Sequence, residues 1–301
     1  MPVQGSLLGI EPLDRQTISQ YLELAGRMDP STPSSLLAGK RIALLFYESS
    51  TRTRVSFELA AKALGATTTV ITATASSIEK GESLIDTGNT ITALRADCIV
   101  MRHPNSGAPN LLARHIPIPV VNAGDGMHEH PSQALLDAFT ILRHKKTLEG
   151  LKLTIIGDIY HSRVARSNVF LLSKFGAEVT LCGPPDLVPE TATVLAPGVR
   201  IARRLADGIR DADVVMLLRI QKERFVGRRL SYEQYISDYQ MSLARLKTAK
   251  PDAIVMHPGP IIRGVELTAD IADSPRAVIL EQVRNGVPVR MGILARALGK
   301  A

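Results

Sequence analysis

Short apolar runs alternate along the whole chain with stretches whose apolar residues recur at helical spacing. Lys40-Arg41-Ile42-Ala43-Leu44-Leu45-Phe46 predicts a buried strand. After it Phe57, Ala60, Ala61 and Leu64 fall on one helical face, and Gly65 stands where a helix would stop. Thr67–Ile71 predicts a β-branched strand, Ala96–Met101 a strand ending at Arg102, and Pro119–Asn122 another. Helices are expected over Asp14–Met28, from the polar loop Ser76–Ser83 through about Leu94, and around Leu111. The alternation restarts at Leu151–Ile156, with a helix from about Ser162 and strands at Glu178–Cys182, Val199–Ala202, Val214–Leu218 and Ala253–Met256. Two rounds of β/α alternation predict an α/β fold of two doubly wound parallel-sheet domains, joined by a helix over Ala134–Leu142. The expected division is 1–133 and 134–285, with a C-terminal helix (286–301, its core Gly292–Leu298) packing back on the first domain.

The odd polar residues fall in one kind of place. Arg52, Arg102, His130, Arg163, Arg219 and the turn His257-Pro258-Gly259-Pro260 all follow predicted strands. In open α/β sheets ligands bind at the carboxyl ends of strands. Such residues in both halves predict an active site in a cleft between the two domains.

Composition narrows the classes. A chain of 301 residues, 45% hydrophobic and 22% charged, is globular and long enough for two domains. No apolar run approaches the ~18 residues of a membrane span. The N-terminus lacks a basic-then-apolar signal pattern, so a cytoplasmic location is expected. Cys98 and Cys182 lie inside apolar runs and are expected to be buried thiols, not a disulfide framework or a metal site. The net charge of +7 raises nucleic-acid binding, but aromatics are 4% with no Trp, and no basic run is interleaved with stacking rings. A diffuse positive field suits small anionic substrates at least as well.

Four segments carry candidate chemistry. Phe46-Tyr47-Glu48-Ser49-Ser50-Thr51-Arg52-Thr53-Arg54 lies on a strand-to-helix turn, where free N–H groups and the helix dipole favour an anion. Its hydroxyls and forked arginines suit phosphate oxygens; the plain alternative is a Ser/Thr-capped helix with two exposed arginines. No Walker loop is present. His130-Pro131-Ser132-Gln133 opens a helix, and its imidazole and amide can donate to a carbonyl oxygen, the alternative being a capping or packed histidine. His128 with His130 lacks the partners of a metal site. Gly157-Asp158-Ile159-Tyr160-His161-Ser162-Arg163 mimics a dinucleotide turn but lacks its later glycines, so Arg163 reads as a carboxylate clamp. Arg219 with Gln221, in Arg219-Ile220-Gln221-Lys222-Glu223-Arg224, offers a second clamp; a solvated charged loop is the alternative.

Phe46–Arg54 resembles the carbamoyl-phosphate signature of the aspartate/ornithine carbamoyltransferase family. Ser76–Glu82 with Lys80-Gly81-Glu82, Val100–Pro104, His130–Asp137, and His257–Pro260 with Arg263-Gly264-Val265-Glu266 resemble further family motifs, in the family's order. Ornithine enzymes are expected to carry a His-Cys-Leu-Pro turn and a Ser-Met-Gly loop. This chain has no cysteine in the corresponding turn and no Ser-Met-Gly, while Arg219–Arg224 resembles the aspartate branch.

The resemblance implies transfer of the carbamoyl group of carbamoyl phosphate to the α-amine of L-aspartate, an early step of de novo pyrimidine (UMP) synthesis, without cofactor or metal. It implies that Ser50, Thr51, Arg52 and Thr53 hold phosphate, and that Thr53, Arg102 and His130 polarise the carbonyl oxygen. Gln133 and the Gly259 and Pro260 carbonyls would grip the carbamoyl NH₂; Arg163, Arg219 and Gln221 would fix the aspartate carboxylates. Ser76, favoured over Ser77 by its spacing from Lys80, would reach phosphate, and Lys80 the aspartate site, from a neighbouring subunit of a homotrimer. A larger assembly with regulatory or dihydroorotase chains stays open. So do two other readings, a carbamoyltransferase with another acceptor and a non-catalytic scaffold that binds phosphate or nucleic acid.

Overall fold

The computed structural model describes residues 2–72, 81–222 and 230–300. The chain divides into two units, Met1–Phe139 with Val283–Ala301, and Thr140–Gln282. Among the described residues each unit is built on one parallel sheet.

In the first unit α1 (Arg15–Arg27) precedes β1 (Arg41–Phe46), α2 (Thr51–Ala63), β2 (Thr67–Thr72), α3 (Leu84–Ala93), β3 (Cys98–His103), α4 (Ala108–His115), β4 (Val120–Asp125) and the head of α5 (Pro131–Lys145). The sheet order is β2-β1-β3-β4. β1 and β4 are buried almost throughout because both faces are covered; β1 is a near-continuous apolar run, whereas β4 also buries Asn122 and Asp125. β2, at the edge, is Thr-rich and exposed or half-buried throughout. Phe57, Ala60, Ala61 and Leu64 are buried along the inner face of α2, as their spacing predicts. Arg102 lies inside β3 and not beyond it, because pairing with β1 runs on through Phe46↔Arg102.

In the second unit β5 (Lys152–Ile156) leads through α6 (Arg163–Lys174) to β6 (Glu178–Cys182), a short 3₁₀ turn and β7 (Arg200–Ala202). Then follow α7 (Leu205–Gly208), β8 (Val214–Leu217), α8 (Tyr232–Tyr239), α9 (Leu243–Leu246), β9 (Ile254–Met256) and α10 (Ala269–Ala272). The order is β7-β6-β5-β8-β9. Its core joins Val215 and Leu217 of β8 to Tyr235, Tyr239, Leu246 and Ile271. Cys98 and Cys182 are both fully buried, and burial pushes each thiol up to about 12.

The last helix, α11, spans Ile279–Ala297, far longer than the Gly292–Leu298 core that the pattern suggests. Pro288 sits inside it and removes one N–H from the ladder, yet Gln282 and Asn285 are buried before that gap and Val289, Met291, Ile293 and Leu294 after it. Arg296 of α11 donates to Gln20 at 2.9 Å and covers the Tyr21 ring of α1. Among the described residues no helix is long and apolar enough to cross a membrane.

Candidate active site

Each sheet has one place where the chain reverses its direction of travel across the strands. In the first unit it lies between β1 and β3, in the second between β5 and β8. Crevices open at such points, at the strands' carboxyl ends.

At the first, Tyr47 N–H donates to the Arg102 carbonyl at 2.9 Å, tying the turn before α2 to the end of β3. Ser50 is the N-cap residue, but its hydroxyl makes no capping bond. That end of the helix therefore keeps its attraction for anions. Thr53 is buried in the first turn, whereas Thr51 and Arg52 are exposed. Arg102 Nε stands 3.2 Å from Glu48 Oε2, and Nη1 donates to the Ala123 carbonyl at 3.4 Å.

β4 delivers the loop to α5 beside β3. Asp125 is its hub, fully buried, accepting from Gly107 N–H (2.7 Å), Asn122 Nδ2 (2.8 Å) and Glu129 N–H (3.1 Å) and contacting His128 Nδ1 (3.0 Å). Burial opposes its ionisation, but the bonds from His128, Gly107 and Asn122 prevail and hold the carboxyl below its ordinary value. The same contact raises the His128 imidazole above its own. His130 and Gln133 follow, both buried at the head of α5. Gln133 Nε2 donates to Asp137 Oδ1 at 2.9 Å, so the amide nitrogen is turned toward Asp137 and one of its two N–H groups is engaged inside the protein. Glu11, His128 and Glu129 bring three potential metal-ligand atoms within 4.8 Å of one another. The Glu129 carboxylate, however, accepts from Ile10 N–H (2.7 Å) and Glu11 N–H (3.0 Å), which makes it a tie for the N-terminal segment. Asp125 escapes a reading of the sequence because an acid between two glycines looks like any turn residue.

At the second, β5 is followed by Gly157, whose φ of +127° few other residues adopt; a Cβ there would lie 3.2 Å from Leu218 Cβ. The close approach sets Asp158 and the start of α6 beside the end of β8. Asp158 is buried and receives His161 Nδ1 at 2.9 Å, and the Ser162 hydroxyl caps α6, whose first residue is the half-buried Arg163. Arg219 and Gln221 follow β8 on the other side. Their backbone is fixed by Glu266, whose carboxylate accepts from Ile220 N–H and Ile262 N–H, each at 2.8 Å. Burial raises the Glu266 carboxyl, with those two N–H groups and Arg219 opposing the rise. His257 closes the end of β9: Gly259 N–H donates to its Nδ1 at 2.8 Å, within the turn that carries the cis Gly259–Pro260 bond. Ser76, Lys80 and Arg224 lie outside the described residues.

Residues 6–143 match the sequence profile of the aspartate/ornithine carbamoyltransferase carbamoyl-P binding domain, and residues 149–297 that of the Asp/Orn binding domain. The chain belongs to the aspartate/ornithine carbamoyltransferase family. Within this family it is 62% identical to the aspartate carbamoyltransferase catalytic subunit of Koribacter versatilis, over 98% of this chain and 97% of that one. The Solibacter usitatus subunit of the same name is 56% identical over 98% and 99%. Among solved family structures, the catalytic subunit of M. Jannaschii aspartate transcarbamoylase superposes with a TM-score of 0.88 at 37% identity, over 98% and 97% of the chains. Aspartate transcarbamoylase from Trypanosoma cruzi, solved with N-(phosphonacetyl)-L-aspartic acid, gives 0.86 at 32%, over 97% and 95%. Ornithine carbamoyltransferase from Pyrococcus furiosus gives 0.88 at 29%, over 99% of both chains. Both branches of the family therefore share this fold, and the acceptor must be read from side chains.

Proposed function

We propose that this chain transfers the carbamoyl group of carbamoyl phosphate to the α-amine of L-aspartate, giving N-carbamoyl-L-aspartate and phosphate. The observation that carries the reading is the pairing of chemistries at the two switch points. One offers a helix N-terminus with hydroxyls and arginines, suited to phosphate; the other offers Arg163 and Arg219 with Gln221, suited to carboxylates. An ornithine side chain is cationic and gains nothing from Arg219. The names of the two bacterial relatives point the same way.

Ser50, Thr51, Arg52 and Thr53 hold the phosphate, while Thr53, Arg102 and His130 polarise the carbamoyl oxygen as negative charge grows on it. Gln133 and the Gly259 and Pro260 carbonyls accept from the carbamoyl NH₂. Arg163, Arg219 and Gln221 orient the aspartate, and the departing phosphate takes the amine proton. Rate then comes from positioning and electrostatics. The chain works as a cytoplasmic homotrimer in which Ser76 and Lys80 serve a neighbouring subunit. Exposed Val55 and Leu59 on α2 and Val70 on the edge strand β2, between 39% and 51% accessible, support self-association of the first unit.

The test is carbamoyl transfer measured with aspartate and with ornithine in parallel. Transfer to aspartate alone is expected; equal or faster transfer to ornithine overturns the assignment.

A further inference from the structure

An amide offers a donor at one end and an acceptor at the other, so the orientation of Gln133 decides which ligand group it can recognise. Nothing in the side chain's shape selects between the two; its partner does. Gln133 Nε2 lies 2.9 Å from Asp137 Oδ1, one helical turn further along α5. An ionised carboxylate only accepts, so the nitrogen must face Asp137 and Oε1 must face away. Asp137 is wholly buried, and Arg290 of α11, 3% exposed, supplies the balancing charge. Burial lowers the Arg290 guanidinium to about 10 while Asp137 draws it back up, so it stays cationic at neutral pH. The arginine is itself held in place. Its guanidinium carbon lies 5.1 Å from the centre of the Phe57 ring on α2, and Nη1 donates to the Gly286 carbonyl at 3.1 Å. A Cβ at Gly286 would come within 2.3 Å of that same nitrogen, so the helix keeps a glycine where the guanidinium passes. A buried cation, a buried anion and a glycine are costly things to place in a core, and together they hold one amide in one orientation.

We propose that Asp137, backed by Arg290, is a positioning residue that selects the carbamoyl group by its NH₂. It turns Gln133 so that Oε1 accepts from the carbamoyl nitrogen, and an acyl phosphate lacking that N–H is bound more weakly. This rests on the reading of Gln133 as a carbamoyl ligand. The probe pair is carbamoyl phosphate and acetyl phosphate, which carries CH₃ in place of NH₂. Their equilibrium affinities are measured on the intact protein, on Asp137→Asn and on Gln133→Ala. An asparagine can donate as well as accept, so in Asp137→Asn the glutamine takes either orientation. Carbamoyl phosphate should bind roughly fivefold to tenfold more weakly to that variant, with acetyl phosphate within about twofold of the intact protein. Equal weakening of both probes makes Asp137 a mere support of the fold and overturns the proposal. Loss of preference in Gln133→Ala but not in Asp137→Asn also overturns it, while the reading of the site stands. No loss in either variant removes Gln133 from the site, and the proposal with it. Should Asp137→Asn not fold, the complex of the unaltered protein with carbamoyl phosphate decides. Gln133 still bonded to Asp137 with its other end on the carbamoyl nitrogen supports the proposal; Gln133 swung away from Asp137 overturns it.

Discussion

Arg102 spends part of its guanidinium on Glu48 and the Ala123 carbonyl, which hold the side chain at the end of β3. Its proposed task is to stabilise charge on the carbamoyl oxygen, so Arg102→Ala should lower turnover by ~10²–10³. Near wild-type kcat would remove it from the site. Arg219→Ala should raise KM for aspartate while leaving equilibrium binding of carbamoyl phosphate alone unchanged, because its proposed partner is a substrate carboxylate. Comparable damage to both ligands would sink the idea of a separate clamp. At this scale the residues proposed to meet substrate could be named from the chain, because a strand's end followed by a hydroxyl, an arginine or a histidine is a local pattern. Those that hold them could not. Asp125, Glu266 and Arg290 act on residues brought close by packing, Asp137 acts one turn back along its own helix, and in sequence an acid in a turn or a helix has many ordinary uses.

The loop from β4 to α5 combines two groups whose titrations oppose each other. Asp125 is lowered from 3.8, so its contribution is present above that value and lost as pH falls through the lowered one. His128 is raised from 6.5, so its contribution is complete below that value and lost as pH rises through the raised one. His128→Gln should therefore cost more stability in denaturant unfolding at about pH 5.5 than at about pH 8.5. An equal cost at both would mean that the contact contributes nothing through charge. For α6, Ser162 caps the helix that begins with Arg163, and Ser162→Ala should destabilise the protein by ~1 kcal/mol. Unchanged stability would mean that solvent satisfies the helix end as well as the hydroxyl does. Elements with a strict apolar period or a capping residue were readable from the chain. The long α11 was not, since Pro288 and the glycines at 286 and 292 break local propensity that burial then overrides.

A trimer with shared sites makes a claim about the whole molecule. Arg52→Ala and Lys80→Ala chains, each nearly inactive alone, should regain activity when dissociated and reassembled together. In a 1:1 random trimer about one quarter of the sites would unite an intact Arg52 with a neighbour's intact Lys80. Verified mixed assembly without recovery would show that Lys80 serves its own chain. At this scale the sequence alone determined the two rounds of β/α alternation and the kinds of side chain at the strand ends, because both follow from periodicity and neighbours along the chain. Strand order is another matter. Only the tertiary structure decided that the chain reverses between β1 and β3 and between β5 and β8, since which strands pair depends on contacts between residues tens of positions apart. Only it decided how Gln133 is turned, because its partner Asp137 is buried on α5 with the opposite charge of Arg290 supplied from α11.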